Sequence, residues 1–256
     1  MKSKLQLPSI LLSLLVLGTA ARGADLLKSL GGVLGTNKSG VAALTTDEMT
    51  KGLKEALAKG AKSAITNLGR PDGFLKNLDV KIPLPDSLKK VESAARLAGQ
   101  GKLVDDFTVS MNRAAEQAVP VGLNILADSI TKMSIADAQA ILKGPEDAAT
   151  QYFRRTSDAT LAEKFRPIIA KATDSVGVTQ NYKALTGKFG QAQSLGSLFG
   201  GGKTNAPGAL DVDGYVTSKA MDGLFKMIAA EEKAIRANPA ARTTDLLKKV
   251  FGSTGK

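Results

Sequence analysis

The sequence predicts an all-α fold, a single-domain helical bundle-like array of about nine or ten helices. Three observations support this fold class. Apolar residues recur every three or four positions over long stretches, as amphipathic helices require. Those stretches are rich in Ala and Leu, and runs of β-branched residues with the period of two typical of strands are missing from the sequence. At 256 residues, the chain is long enough to form one substantial core.

The N-terminus has the features of an export signal. Two lysines precede the apolar run Leu5–Leu17, which is too short to span a bilayer, and small residues follow it. We therefore predict a signal peptide over residues 1–23, cleaved after Ala21 or Gly23. A flexible N-terminal lead over residues 24–44 would then open the mature chain. No later segment is long and apolar enough to be transmembrane.

The amino-acid composition excludes several classes of catalytic and metal site. The chain has no histidine and no cysteine, so His general bases, Ser-His-Asp sites, Cys-His sites and most zinc sites are excluded. We expect no metal, no cofactor and no catalytic residue. Without the signal peptide the chain has 32 basic and 24 acidic residues, a net charge of +8. This charge is spread along the chain and suits anionic envelope surfaces, whereas export and the lack of a basic run interleaved with aromatics disfavour nucleic acid.

The helical domain is predicted over residues 45–252. Thr45 and Glu48 form a capping box that begins the first helix, and Gly69 ends it. The prolines within residues 79–85 predict an extended segment. Further helices are predicted from about Asp86, over 102–119, over 121–132, from Ser134, over 145–156, over 158–176, over 179–189, over 211–236 and over 239–251. A Gly/Ser-rich segment over residues 190–209 is predicted to be a flexible loop.

Local rules predict two interruptions in the central stretch, residues 145–176. The first helix should end near residues 156–158, because Thr, Ser and Asp side chains there compete for backbone hydrogen bonds. The second helix should bend or restart at Pro167, because a proline inside a helix removes a backbone hydrogen bond. On the helix over 102–119, Asp105, Asn112 and Glu116 are predicted to lie opposite the apolar stripe.

Five side chains are candidate ligand or partner contacts. Tyr152 and Arg155 are either part of a pocket for an anionic or amphipathic ligand, or a buried anchor beside an arginine that pairs with a carboxylate. Glu231 lies within the apolar stripe of the last long helix, where a carboxylate needs a partner or a raised pKa. It is either a functional acid, the ion-pair partner of Arg155, Arg166 or Arg113, or part of a helix end that projects past the core. Arg113 and Arg166 therefore join the candidates.

Three blocks of the sequence resemble a known family. They are VKIPLPDSLKKVESAARLAGQGKLVDDFTVSMNRAAEQAVP at residues 80–120, ATQYFRRTSDATLAEKFRPII at 149–169 and DGLFKMIAAEEKAIRANPAARTTDLLKKVF at 222–251. They resemble the family catalogued as domain of unknown function 4197, exported proteins of Gram-negative bacteria. The resemblance extends over about residues 46–251 and implies a helical protein of the periplasm. It supplies no catalytic residues.

These observations predict a non-enzymatic periplasmic binding or interaction protein of the cell envelope. Its partner would be an envelope lipid or another envelope protein, and an apolar or amphipathic ligand could lie between the helices. One alternative is a carboxylate-dependent envelope hydrolase, which needs two acids about 5–10 Å apart across a cleft. The other alternative is a structural subunit that buries apolar surface by self-association.

Overall fold

Helices account for all regular secondary structure in the part of the chain that the structure describes, which confirms the all-α fold class. This computed structural model describes residues 45–175, 180–181, 184, 187, 211–237 and 250. The predicted signal peptide, N-terminal lead and Gly/Ser-rich loop lie outside these residues, as does most of the predicted helix over 239–251. The elements are α1 (Thr46–Gly69), α2 (Lys89–Leu97), α3 (Gly101–Ala118), α4 (Gly122–Lys132), α5 (Ile135–Lys143), α6 (Ala148–Ser175) and α7 (Val212–Ala237), with short 3₁₀ helices at Asp86–Leu88 and Val119–Val121.

Helix α1 begins and ends where the sequence predicts. The Thr45 hydroxyl accepts a hydrogen bond from the Glu48 backbone N–H at 3.2 Å, and the Glu48 carboxylate accepts one from the Thr45 N–H at 2.9 Å. This reciprocal pair satisfies two N–H groups that have no partner within the helix. The buried face of α1 packs mainly against α7, α4 and α5.

The core lies between two long antiparallel helices, α6 and α7, and the shorter helices around them. Contacts pair the start of α6 with the end of α7 and the end of α6 with the start of α7. Helix α3 packs against both. All the described helices belong to one compact unit. The largest fully buried side chains are five phenylalanines, Phe74, Phe107, Phe153, Phe165 and Phe225.

Helix α6 is continuous, so the predicted end near residues 156–158 and a restart at Pro167 are wrong, whereas a bend at Pro167 stays a prediction. The Thr156 hydroxyl donates to the Tyr152 carbonyl at 2.9 Å, and the Ser157 hydroxyl lies 2.6 Å from the Ser129 hydroxyl on α4. These polar groups are therefore satisfied without ending the helix. Pro167 lies on the exposed side, where water can replace the lost backbone hydrogen bond. The described residues form fewer helices than the nine or ten predicted, because two predicted helices are one and those over 179–189 and 239–251 lie largely outside the described residues.

A buried carboxylate fixes the start of α6 against α7. Glu232 accepts hydrogen bonds from the backbone N–H groups of Ala149 and Thr150, each at 3.0 Å, and from the Thr150 hydroxyl at 3.0 Å. The Arg236 guanidinium donates to the same carboxylate at 2.8 Å. Negative charge is favoured at a helix N-terminus, where backbone N–H groups lack partners inside the helix. Glu232 thus joins the two longest helices of the described residues.

Replacing Glu232 by Ala should lower the free energy of unfolding by about 3–5 kcal/mol, because it leaves buried N–H groups and Arg236 without their acceptor. Urea unfolding followed by circular dichroism measures this loss. Glu231→Ala is a matched control, since the adjacent half-buried Glu231 accepts one hydrogen bond, from the Ser63 hydroxyl at 2.6 Å. The control should cost about 1 kcal/mol. Equal losses in the two variants would contradict the assigned role of Glu232.

Candidate interaction surface

Helix α3 holds the non-helical segment 70–85 through two buried polar side chains, and the first is Asn112. Its amide oxygen accepts a hydrogen bond from the Ile82 N–H at 2.8 Å, and its amide nitrogen donates to the Ile82 carbonyl at 2.9 Å. The same nitrogen donates to the Thr108 carbonyl within α3 at 2.8 Å. The Asn112 side chain thus satisfies both backbone groups of one residue in the extended segment.

Glu116, one helical turn further along α3, holds the other end of the segment. One carboxylate oxygen accepts hydrogen bonds from the N–H groups of Phe74 and Leu75, at 3.1 and 3.2 Å. The other oxygen accepts from Arg113 at 2.7 Å. The side chain of Phe74 is fully buried, so the backbone at this residue is fixed both by its side chain in the core and by its N–H bond to Glu116. Asn112 and Glu116 together fix the path of the chain before and after residue 78.

The predicted outward positions of Asn112 and Glu116 are wrong, whereas Asp105 is exposed as predicted. The polar face of α3 is covered because segment 70–85 crosses it. A segment without helix or strand needs other partners for its buried backbone groups, and these two side chains supply them. The sequence contains only a weak indication of these contacts. It is a pair of hydrogen-bonding side chains four residues apart, shortly after a proline-containing segment.

Asp72 stabilises the turn that begins the segment. Its backbone has a positive φ of 67°, a conformation that Asp adopts more readily than most residues. Its carboxylate pairs with Lys76 at 2.7 Å and with Arg113 at 2.6 Å. Hydrogen bonds from Lys76 and then from Arg113 hold the pKa of Asp72 below its ordinary value. Arg113, a predicted contact residue, therefore links Asp72 to Glu116 beneath the turn.

The held segment displays Leu78, whose surface is 91% exposed. Two grooves border it, with volumes of about 610 and 560 Å³. We call Leu78 and the two grooves the Leu78 surface. The first groove is lined by Asn67, Arg70, Pro71, Asp72, Gly73, Lys76, Asn77, Leu78 and Met227. The second groove is lined by Leu75, Leu78, Lys81, Pro83, Leu84, Lys89, Glu92, Arg96, Asp105, Thr108 and Val109.

Basic side chains outnumber acidic ones in the lining of the two grooves. Five are basic and three are acidic. All three acids are ion-paired: Asp72 with Lys76 and Arg113, and Glu92 and Asp105 with the single guanidinium of Arg96, at 3.0 and 2.9 Å. Arg70 in the first groove and Lys81 in the second are exposed, and neither has an ion-pair partner among the described residues.

The structure brings two of the five predicted contact residues together away from this surface. Tyr152 is buried and its hydroxyl donates to the Ser129 carbonyl at 2.8 Å, while the Arg155 guanidinium lies 5.4 Å from the ring centroid. Arg155 also pairs with Asp137 at 3.0 Å. Burial, and to a lesser degree the charge of Asp137, raise the pKa of Tyr152. These contacts match the interpretation of Tyr152 as a buried anchor beside a paired arginine.

The other predicted contact residues lie apart from one another. Arg166 pairs with Asp211 at 2.8 Å where the end of α6 meets the start of α7. Glu231 bonds to the Ser63 hydroxyl on α1, whereas the three arginines considered as its partners pair with other acids. The buried carboxylate is its neighbour Glu232, which the sequence analysis missed. Asn112, Glu116 and Glu232 are thus the polar residues that the apolar pattern did not reveal.

Two further properties bear on the class of protein. None of the described helices combines the length and apolar character needed to cross a membrane. Within the described residues, no three or more acidic side chains cluster in a way that could hold a metal ion. The described part of the chain is a packed array of helices, and two buried side chains of α3 hold a non-helical segment at its surface.

Comparison with known proteins identifies the family of this helical array. Residues 43–252 match the family model described as "Protein of unknown function (DUF4197)". The match includes most of the chain, so the protein belongs to this family, and the resemblance of the three sequence blocks is confirmed. No curated protein and no solved structure matches the chain.

Replacing Asn112 by Leu should loosen the extended segment, because the Ile82 N–H and carbonyl lose their partner while the core keeps its volume. We expect an unfolding free energy lower by about 1–3 kcal/mol and faster hydrogen exchange at the Ile82 amide. Ser110→Ala is the control, since the buried Ser110 hydroxyl bonds within α3, to the Phe107 carbonyl. Unchanged exchange at Ile82 in Asn112→Leu would contradict the assigned role of Asn112.

The carboxyl group of Asp72 should titrate below the ordinary range of aspartates in an NMR titration, because Lys76 and Arg113 favour its charged form. Its contribution to stability is then complete at neutral pH and is lost as the pH falls through the lowered pKa. Lys76→Ala should raise the titration midpoint, and Lys89→Ala, which removes a lysine paired with Asp86, should leave it unchanged. An unaltered midpoint in Lys76→Ala would contradict the assignment.

Proposed function

We propose that this chain is a non-enzymatic interaction protein of the cell envelope, exported to the periplasm of a Gram-negative bacterium, that binds a protein partner through the Leu78 surface. The observation that carries the proposal is the exposure of Leu78 on a backbone fixed by two buried side chains. Export rests on the signal-peptide pattern of residues 1–23.

Rigidity is what distinguishes Leu78 from an ordinary exposed leucine. Scattered apolar residues on a surface are common and need no explanation. Here, however, Glu116 holds the backbone just before Leu78 and Asn112 holds it shortly afterwards. The segment therefore cannot readily fold over to bury the side chain. Burial by a partner would stabilise the complex by roughly 1.5–3 kcal/mol for the leucine alone, with little ordering of the segment to oppose it.

The surrounding chemistry supports binding at the surface more than binding between the helices. The space around Tyr152 is occupied by its own contacts, a hydrogen bond to Ser129 and an edge-on contact with Phe153 at 5.9 Å between ring centroids. A ligand between these helices would have to displace them. By contrast, the two grooves beside Leu78 are open and combine apolar side chains with charged ones. This mixture is typical of protein interaction sites.

The acids at this surface also support binding rather than hydrolysis. Glu92 and Asp105 line the same groove, but both pair with Arg96. A glycoside hydrolase needs two acids that face the sugar across a cleft, whereas these two carboxylates both face the same guanidinium.

Site-specific photo-cross-linking tests the proposal. A photoreactive amino acid placed at position 78 should give a discrete cross-linked protein species in intact cells that export the chain. Position 97 is the matched control, because Leu97 is 90% exposed on α2 and lines neither groove. The proposal predicts that the species forms from position 78 and not from position 97.

Three outcomes would count against the proposed function. They are cross-links of the same kind from both positions, cross-links from position 78 to lipid alone, and no cross-linked species from position 78. The second outcome would indicate that the chain binds the membrane surface and not a protein. The first would indicate non-specific contact of exposed leucines. Melting followed by circular dichroism checks that both substituted proteins are folded.

A further inference from the structure

We infer that the partner binds through a peptide segment that carries apolar side chains flanked by carboxylates and crosses Leu78 from one groove to the other. This inference rests on the proposed function, and it adds the chemistry of the partner.

The charge of the lining favours an acidic partner. The three lining acids are all ion-paired, as described above. Arg70 and Lys81 are exposed and have no ion-pair partner among the described residues. They line different grooves, so each groove offers one exposed cation that is not ion-paired within the described residues. A segment with a carboxylate on each side of an apolar residue would complement this arrangement.

The apolar side chains of the grooves fit the remainder of such a segment. Met227 of α7 lines the first groove, and a flexible methionine can adapt to differently shaped apolar groups. Leu84 and the 38% exposed Val109 line the second. Leu78 belongs to the walls of both grooves. An extended chain lying over Leu78 can place one side chain in each groove.

The same shape argues against a membrane surface as the partner. A flat layer of lipid headgroups would meet the projecting Leu78 first. The recesses beside it, of about 610 and 560 Å³, would then remain filled with water. A peptide fills both recesses and meets both cations. The observations therefore favour a peptide segment, and binding to anionic lipid becomes an outcome that the experiment must distinguish.

Peptide selection with matched variants tests this inference. A random peptide library is selected on the mature chain after depletion on the Leu78→Ser variant, whose substitution lies at an exposed position. Affinities of the enriched peptides are then measured for the wild type, for the double variant Arg70→Glu/Lys81→Glu and for Lys51→Glu/Lys62→Glu. The last variant makes the same charge change at exposed lysines of α1 that line neither groove.

The enriched peptides should carry Asp or Glu on both sides of an apolar residue. Their affinity should fall by about tenfold or more in Arg70→Glu/Lys81→Glu, since two attractions become repulsions. The affinity should change by less than about threefold in the control, because its charge changes lie outside both grooves and are screened by salt. Peptides in which Lys replaces the acidic residues should prefer the charge-reversed variant over the wild type.

Four results would overturn the inference. They are enriched peptides without an acidic preference, equal effects of the two double variants, no peptide that depends on Leu78, and Leu78-dependent binding of the wild type to phosphatidylglycerol vesicles in place of peptides. The cross-linking experiment separates this failure from failure of the proposed function. A protein cross-linked specifically at position 78 would still support the proposed interaction surface, even if the acidic preference inferred for the partner were wrong.

Discussion

Buried side chains that bind the backbone of distant segments hold this structure together. Asn112, Glu116 and Glu232 each donate to or accept from backbone groups more than 25 residues away, in regions where no helix or strand supplies a partner. Each buried polar group left unpaired would cost about 1–3 kcal/mol. In the described residues, every buried side-chain nitrogen and oxygen has a hydrogen-bond partner. The start of α6 and the shape of segment 70–85 both depend on these bonds.

Much of the fold could be predicted because its determinants are local. The capping box of Thr45 and Glu48 and the break at Gly69 gave the bounds of α1 to the residue. The apolar stripe of α7 was also correctly identified for Val216, Ala220, Leu224 and Ile228, all of which are buried. In both cases the information lies within one helix, where residues three or four positions apart share a face.

The candidate surface could be predicted far less well, because its determinants are not local. Nothing in the periodicity of α3 indicates that Ile82 will lie beside Asn112, and the same is true of Phe74 and Glu116. The sequence therefore placed both polar side chains in solvent. For α6 the local rules were misleading, since the buried contact of Ser157 with Ser129 overrides the tendency of serine to end a helix. Whether α6 ends near residue 157 therefore depends on the hydrogen-bond partners that α4 and α7 offer to its side chains.

In the turn before Leu78, Gly73 cannot be replaced by a residue that carries a side chain. A Cβ atom at Gly73 would clash with the backbone carbonyls of Asn67 and Leu68, and rotation of a side chain cannot relieve such a clash. With Gly73 fixed at one end and Ile82 at the other, the number of residues between them sets the position of Leu78. An insertion or deletion here would move the leucine relative to the two grooves. Family members that keep this surface are therefore expected to keep the length of the segment.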